Sequence, residues 1–288
     1  MTSGHHAAAV AVIAGAVWAA RAPAQAQTPV FTSRSDMVRL DVLVTASGRP
    51  ILGLKAEDFQ IRDNGVTQRA DFVSFDQLPL NVVFAFDVSG SMVGQRLDDL
   101  RAAGHGVLEQ LRKDDRAALV SFSEIVTLGS DLTTDLGLVG SALDRGRATG
   151  LTSLVDACFS GLVLSGLDAG RSVMFVFSDG VDTSSWLAPA SVINATKRAN
   201  VVAFGVTVGQ SKAPFLKELT EVTGGDLVAL QSTKDLRATF VRLLSEYRQR
   251  YLVGYTPTGV SATGWHQVDV DVARPGASVK ARAGYQVR

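Results

Sequence analysis

Asp87-Val88-Ser89-Gly90-Ser91-Met92 follows an unbroken apolar run, Val82 to Phe86, and precedes a helix-like segment. A run of that kind reads as a strand buried on both faces of a sheet, and open α/β sheets place ligands at the carboxyl ends of such strands. One carboxylate and two hydroxyls, in the spacing D-x-S-x-S, therefore leave the core together. All three are hard oxygen donors suited to Mg²⁺ or Mn²⁺, and a hydroxyl-rich set of low charge leaves a cation able to take one more anionic oxygen.

Working outward, the chain supplies further oxygen donors in comparable places. Gly150-Leu151-Thr152-Ser153-Leu154 puts a threonine in a loop that opens a helix. Val173 to Phe177 is a second apolar strand, ending in Ser178-Asp179-Gly180. Each piece alone has an ordinary structural explanation as turn chemistry, a helix cap or a strand end. Their order, with apolar strands ahead of both aspartates, is similar to the von Willebrand factor type A domain and its metal-ion-dependent adhesion site. The resemblance implies a divalent cation, Mg²⁺ with Mn²⁺ or Ca²⁺ as alternatives, held by Asp87, Ser89, Ser91, Thr152 and Asp179. It also implies an α/β fold of the Rossmann-like, doubly wound kind, and an open coordination position that an Asp or Glu of a partner protein fills. In some members of that family the last helix slides when a ligand engages.

From Asn81 to about Tyr247, strand-like runs alternate with amphipathic segments, the pattern of a sheet with helices on both faces. The expected strands are 81–87, 117–123, 125–128, 172–178, 201–208 and 227–230. Leu97, Leu100, Gly104, Val107, Leu108 and Leu111 share one face of a first helix. Leu236, Phe240, Leu243, Leu244 and Tyr247 share one face of a last helix, with Ser232 and Asp235 as its expected cap. The flanks read as half-buried β structure. Val38, Leu40, Val42 and Val44 alternate ahead of Ser47-Gly48, Phe59 and Ile61 lead into the turn signal Asp63-Asn64-Gly65, and Val268, Val270 and Val272 alternate before Arg274-Pro275-Gly276 and a strand at 279–283. Neither flank has strands enough to bury itself. The expected organisation is an N-terminal β segment (27–78), an α/β domain (79–250) and a C-terminal β segment (251–288), the two segments pairing into a small β-sandwich, with two separate hairpins as the alternative.

The segments Gly48-Arg49-Pro50, Gly53-Leu54, Asp58-Phe59, Asp63-Asn64-Gly65, Tyr251-Leu252-Val253-Gly254-Tyr255-Thr256-Pro257 and Gly284-Tyr285 resemble an exported family of von Willebrand A-related proteins described mainly from acidobacteria. Ala7 to Ala20 is apolar but short for a membrane span, and Ala22-Pro23-Ala24-Gln25-Ala26 offers small-x-small cleavage sites, so residues 1–26 read as a secretory signal peptide. An exported protein, periplasmic, cell-surface or secreted, with no membrane span after cleavage is expected.

Lys and Arg total 28 and Asp and Glu total 28. With no basic run present, nothing marks a nucleic-acid partner. A lone Cys158 excludes an internal disulfide. Cys158 falls in phase with Leu154 and Leu162, which makes it a buried, inert thiol. The four histidines are scattered, and His105 and His266 read as surface or interface residues. The competing function is a phosphohydrolase of the haloacid dehalogenase type, which also opens on a strand ending in Asp. Those enzymes need a second Asp two residues on, where this chain has Ser89, and no phosphate-binding glycine loop with Lys is present. The reading favoured is a non-enzymatic, cation-dependent protein-binding module, with a purely structural envelope module as a further alternative. Ser123, Asp131 and Asp182 fall near expected strand ends, where they read as solvated loop polarity, with a supporting place around the site as the alternative.

Overall fold

Every residue of the strand Leu80–Asp87 is buried, so the chain has to supply a layer against each of its faces. In the computed structural model this strand is β6, numbered along the chain. Its sheet also contains β7 (Arg116–Phe122), β8 (Val126–Thr133), β9 (Arg171–Phe177), β10 (Val201–Val208) and β11 (Leu227–Leu230), in the order β11-β10-β9-β6-β7-β8. All neighbours are parallel except β8, which runs antiparallel to β7. The structure describes Met1 and residues 37–75, 78–167, 170–179, 181–209 and 213–287. The expected signal segment and Gly180 lie outside the described residues.

Six α-helices are found among the described residues: α1 (Gln95–Leu108), α2 (Leu136–Arg145), α3 (Leu154–Ser165), α4 (Pro189–Thr196), α5 (Pro214–Thr223) and α6 (Leu236–Arg248). The two-residue period of β6 divides them. Val82, Phe84 and Phe86 meet Leu100 and Val107 of α1, Leu143 of α2 and Phe240 and Leu243 of α6. Val83 and Ala85 meet Leu154 and Cys158 of α3, Ile193 of α4 and Leu216 of α5. Phe240 lies parallel to Phe86 with ring centroids 5.6 Å apart, an offset stack that adds to the burial itself. Cys158 is fully buried, and burial pushes its thiol far up from its ordinary pKa.

Helices α2, α4 and α5 go beyond the sequence reading, although each carries a start signal. Asp135 accepts from the N–H groups of Gly137 and Leu138 at the head of α2, whereas α4 and α5 begin on Pro189 and Pro214 and α5 ends on the left-handed Gly224. The cap expected before the last helix is displaced. Ser232 caps a 3₁₀ turn at Thr233–Asp235, and Asp235 opens α6 without a side-chain cap.

The remaining strands are β1 (Val38–Ala46), β2 (Arg49–Pro50), β3 (Phe59–Asp63), β4 (Val66–Gln68), β5 (Phe72–Phe75), β12 (Tyr251–Tyr255), β13 (Gly264–Val272), β14 (Ala277–Lys280) and β15 (Gly284–Val287). They form one sheet ordered β14-β1-β12-β5, with β2 on β1, and another ordered β15-β13-β3-β4. Leu40, Val42, Tyr251 and Val253 of the first pack on Ile61, Val268 and Val272 of the second, so the described strands before β6 and those after α6 share one core. The fold class is thus the expected α/β one, a mainly parallel sheet covered by helices on both faces and flanked by antiparallel sheets. Asn64 and Gly65 take positive φ of 46° and 82°, the primed-turn geometry that a two-residue hairpin needs between β3 and β4. The strand expected at 279–283 ends at Lys280 as β14, which pairs with β1, and residues 281–283 connect it to β15, which pairs with β13.

His266 is a correction. It is 1% exposed, with Nδ1 2.7 Å from Asp63 Oδ1. Tyr255 and Tyr285 donate to the other carboxylate oxygen of Asp63 at 2.9 and 2.7 Å. Its position in β13 is in phase with Val268 and Val272, so the alternation that buries the valines also buries the imidazole.

Candidate metal centre

Asp87 is the last residue of β6, and Asp179 lies two residues beyond the end of β9. These strands are neighbours, with Phe86 opposite Phe177. The chain proceeds from β6 to β7 on one side of β6, whereas β9 lies on the other, so the carboxylates meet where the strand order reverses. That crevice is the usual ligand position in such sheets.

Asp87 is fully buried. Its Oδ1 accepts from the Ser89 N–H at 2.8 Å and its Oδ2 accepts from the Ser178 hydroxyl at 2.6 Å. Desolvation nevertheless pushes its carboxyl above the ordinary range, against the pull of these bonds. Among the described residues no Lys, Arg or His forms an ion pair with it. The Ser89 and Ser91 hydroxyls lie 3.0 Å apart. Ser91 donates to Asp179 Oδ1 at 2.7 Å, and Arg96 donates to Asp179 Oδ2 at 2.6 Å. Four of the five expected residues therefore stand in one line of hydrogen-bonded neighbours.

The loop that carries Thr152 is tied to the Ser89–Ser91 loop, while no hydrogen bond among the described residues links Thr152 itself to the other four. Gly90 donates to the Gly150 carbonyl at 3.0 Å and Thr149 donates to the Val88 carbonyl at 2.9 Å, which fastens the two loops together. Thr152 is itself buried, and its main chain bonds Thr183 in both directions, at 3.0 Å and 2.8 Å. These ties use its backbone and not its hydroxyl. Asp182 Oδ2 accepts from the Val155 N–H at 2.9 Å and so caps α3 from a distance, while Asp156 accepts from the N–H groups of Trp186 and Leu187, both at 2.9 Å. The Ser123 carbonyl accepts from Ser153. Asp131 is exposed on β8.

The donor set fits a hard divalent cation: two carboxylates, one of them buried without a positive partner, and hydroxyls at the spacing of adjacent ligands. Of the described residues, no group of three or more His, Cys, Asp or Glu offers an alternative centre. Sequence reading missed Ser178 as a support of Asp87, Arg96 as the cation on Asp179, and Glu124, whose Oε2 accepts from the Leu151 N–H at 3.0 Å.

Gly150 explains part of this geometry. It has φ of +72°, and a Cβ there would stand 1.6 Å from Glu124 Oε2. Gly150→Ala is expected to cost about 1–2 kcal/mol of stability and to break the Glu124 contact. Thermal unfolding checks this; an unchanged Tm would contradict it.

Residues 81–241, more than half of the chain, match the von Willebrand factor type A domain. A protein of Synechocystis sp. described as uncharacterized is 28% identical over 108 residues, covering 36% of this chain and 26% of that protein. Inter-alpha-trypsin inhibitor heavy chain H2 of Sus scrofa is 26% identical over 179 residues, covering 56% of this chain and 19% of that protein. The chain thus spans about a quarter or less of the length of these curated relatives. A solved von Willebrand factor type A structure from Catenulispora acidiphila superposes with a TM-score of 0.53 at 12% identity, covering 89% of this chain and 75% of that one, a likeness of fold. On its sequence match and on its sheet order, the chain belongs to the von Willebrand factor type A domain family.

Proposed function

We propose that Asp87, Ser89, Ser91, Thr152 and Asp179 hold one divalent cation, Mg²⁺ with Mn²⁺ or Ca²⁺ as alternatives, and that this ion captures an Asp or Glu side chain of a partner protein. The observation that carries the reading is the fully buried Asp87 carboxylate, without an ion-pair partner among the described residues, beside two hydroxyls 3.0 Å apart at the carboxyl end of β6. A buried carboxylate of that kind is stabilised by a cation, and a hydroxyl-rich set leaves the ion electrophilic. Bound there, the ion supplies a charge-assisted contact to the partner's carboxylate.

The protein's own part is to position the donors and to present a surface. The β6 and β9 termini carry the two aspartates, and the Gly90–Gly150 contact ties the Thr152 loop to the Ser89–Ser91 loop, which supports Thr152 as the fifth ligand. Ser91 is exposed. Val93, Leu151 and Val181, each within two residues of an expected ligand, are 67%, 56% and 63% exposed. Exposed apolar side chains around a polar centre suit a protein partner.

Catalysis is not part of the proposal. Ser89 stands where a phosphohydrolase of this topology needs its second carboxylate, and its hydroxyl is engaged with Ser91. Export to the periplasm, the cell surface or the medium is proposed with the binding role. No helix among the described residues is long and apolar enough to cross a membrane.

The test is binding of the purified chain to an array of Asp- and Glu-containing peptides and their Asn and Gln counterparts, in Mg²⁺ and in EDTA. Signal restricted to acidic peptides in Mg²⁺, and lost in Asp179→Ala, is expected. Equal signal in EDTA would sink the proposal.

A further inference from the structure

The two carboxylates of the candidate centre are treated differently by the fold. Asp87 has hydroxyl and main-chain donors but no positive partner, whereas the Asp179 side chain, 2% exposed, meets Arg96 at 2.6 Å. Arg96 also reaches the carbonyl of Ser91 at 3.4 Å. Its guanidinium thus touches two of the five residues proposed to hold the ion. The Arg96 side chain is 50% exposed and lies in the first turn of α1, directly after Gly94, whose φ of +83° turns the chain from the Ser89–Ser91 loop into the helix. Half exposed, this side chain is held by its bonds to Asp179 and to the Ser91 carbonyl.

We propose that Arg96 is a resident cation that pairs with Asp179 and competes with the divalent ion for it, so setting how tightly that ion binds. The inference rests on the proposed metal-binding reading. Counted by charge, Asp87 and Asp179 offer two negatives to the ion, and Arg96 cancels one of them. A divalent ion arriving beside Ser91 meets a carboxylate already neutralised and a positive group a few ångströms away. Either the guanidinium swings outward into solvent or the ion binds against its repulsion, and both weaken the ion. The exposure of Arg96 lets it swing at little packing cost, and its long stem keeps it tethered at the rim. Arg101, one turn and a half further along α1, bonds Asp98 and the Gly146 carbonyl and touches none of the five residues.

The experiment is calorimetric titration of the whole chain with MgCl₂ and with MnCl₂ at about 0.15 M ionic strength, using wild type, Arg96→Gln and Arg101→Gln, with thermal unfolding of each in EDTA. Arg96→Gln is expected to bind both ions about tenfold more tightly or better, while its Tm in EDTA falls slightly because Asp179 has lost its partner. A merely structural role would lower Tm and weaken the ion together. Arg101→Gln is expected to match wild type in affinity. If wild type binds the ions and Arg96→Gln binds them equally or more weakly, the competition is overturned and the metal site stands. If neither protein binds either ion at millimolar concentration, the metal site and the competition both fall.

Discussion

Asp87→Asn is expected to give a folded chain whose affinity for Mg²⁺ is weaker by on the order of a hundredfold or more. The substitution keeps the shape of the side chain and removes its charge. Asp87 is the most enclosed member of the proposed donor set and the carboxylate with no ion-pair partner among the described residues, so the proposed ion would be its counter-charge. Without metal the sign reverses. Burial raises the Asp87 carboxyl above its ordinary pKa, which means that the ionised form is a liability to the metal-free fold at neutral pH. Removing a buried, uncompensated charge is stabilising when shape is kept, so the Asn variant is expected to melt above wild type in EDTA and below it in Mg²⁺. Ser178, whose hydroxyl now donates to Asp87 Oδ2, can turn to accept from the amide. Scanning fluorimetry in the two buffers reads both effects; a variant that melts below wild type in EDTA would contradict the account of Asp87.

Arg171→Ala is the largest expected loss of stability, about 3–5 kcal/mol. Arg171 opens β9 and is 5% exposed. Its Nε and Nη2 donate to Asp41 Oδ1 of β1 at 2.8 and 2.6 Å, Nη2 also reaches the Arg250 carbonyl at 3.3 Å, and the guanidinium lies 4.9 Å from the Tyr247 ring centroid. One side chain therefore joins the parallel sheet, the end of α6 and the first antiparallel sheet. Truncation leaves the Asp41 carboxylate, only 16% exposed, without its partner. Arg237, whose pair with Glu109 is half exposed on both sides, provides the contrast: Arg237→Ala is expected to cost under about 1 kcal/mol. Urea unfolding followed by circular dichroism measures both. Equal losses in the two variants would show that burial is not what gives Arg171 its weight.

The parts of the molecule legible in the sequence are those fixed by short-range patterns. β6 and β9 announce themselves because a strand covered on both faces has no polar positions to interrupt its apolar run. Their carboxyl ends follow directly, and with them Asp87 and Asp179. Thr152 is legible because a glycine-led polar loop ahead of an apolar helix is a local signal. Arg96 and Ser178 were not legible as neighbours of those aspartates, for their contacts span 83 and 91 residues. They depend on β6 pairing with β9 and not only with β7. His266 was misread for a different reason. Its alternation with Val268 and Val272 was present, but a polar ring on an inward face needs a buried acceptor, and Asp63 lies 203 residues earlier. Helices α4 and α5 are short and begin on proline without a capping side chain, which gives periodicity too few turns to show.

The central claim is that one divalent ion sits among Asp87, Ser89, Ser91, Thr152 and Asp179. Crystals of the chain grown with Mn²⁺ and measured at the manganese absorption edge test it most directly. The account predicts a single anomalous peak at about 2.0–2.6 Å from the Ser89 and Ser91 hydroxyls, with Asp87 and Asp179 close by and Arg96 drawn away from Asp179. A peak elsewhere, or none with Arg96 still seated on Asp179, would contradict it.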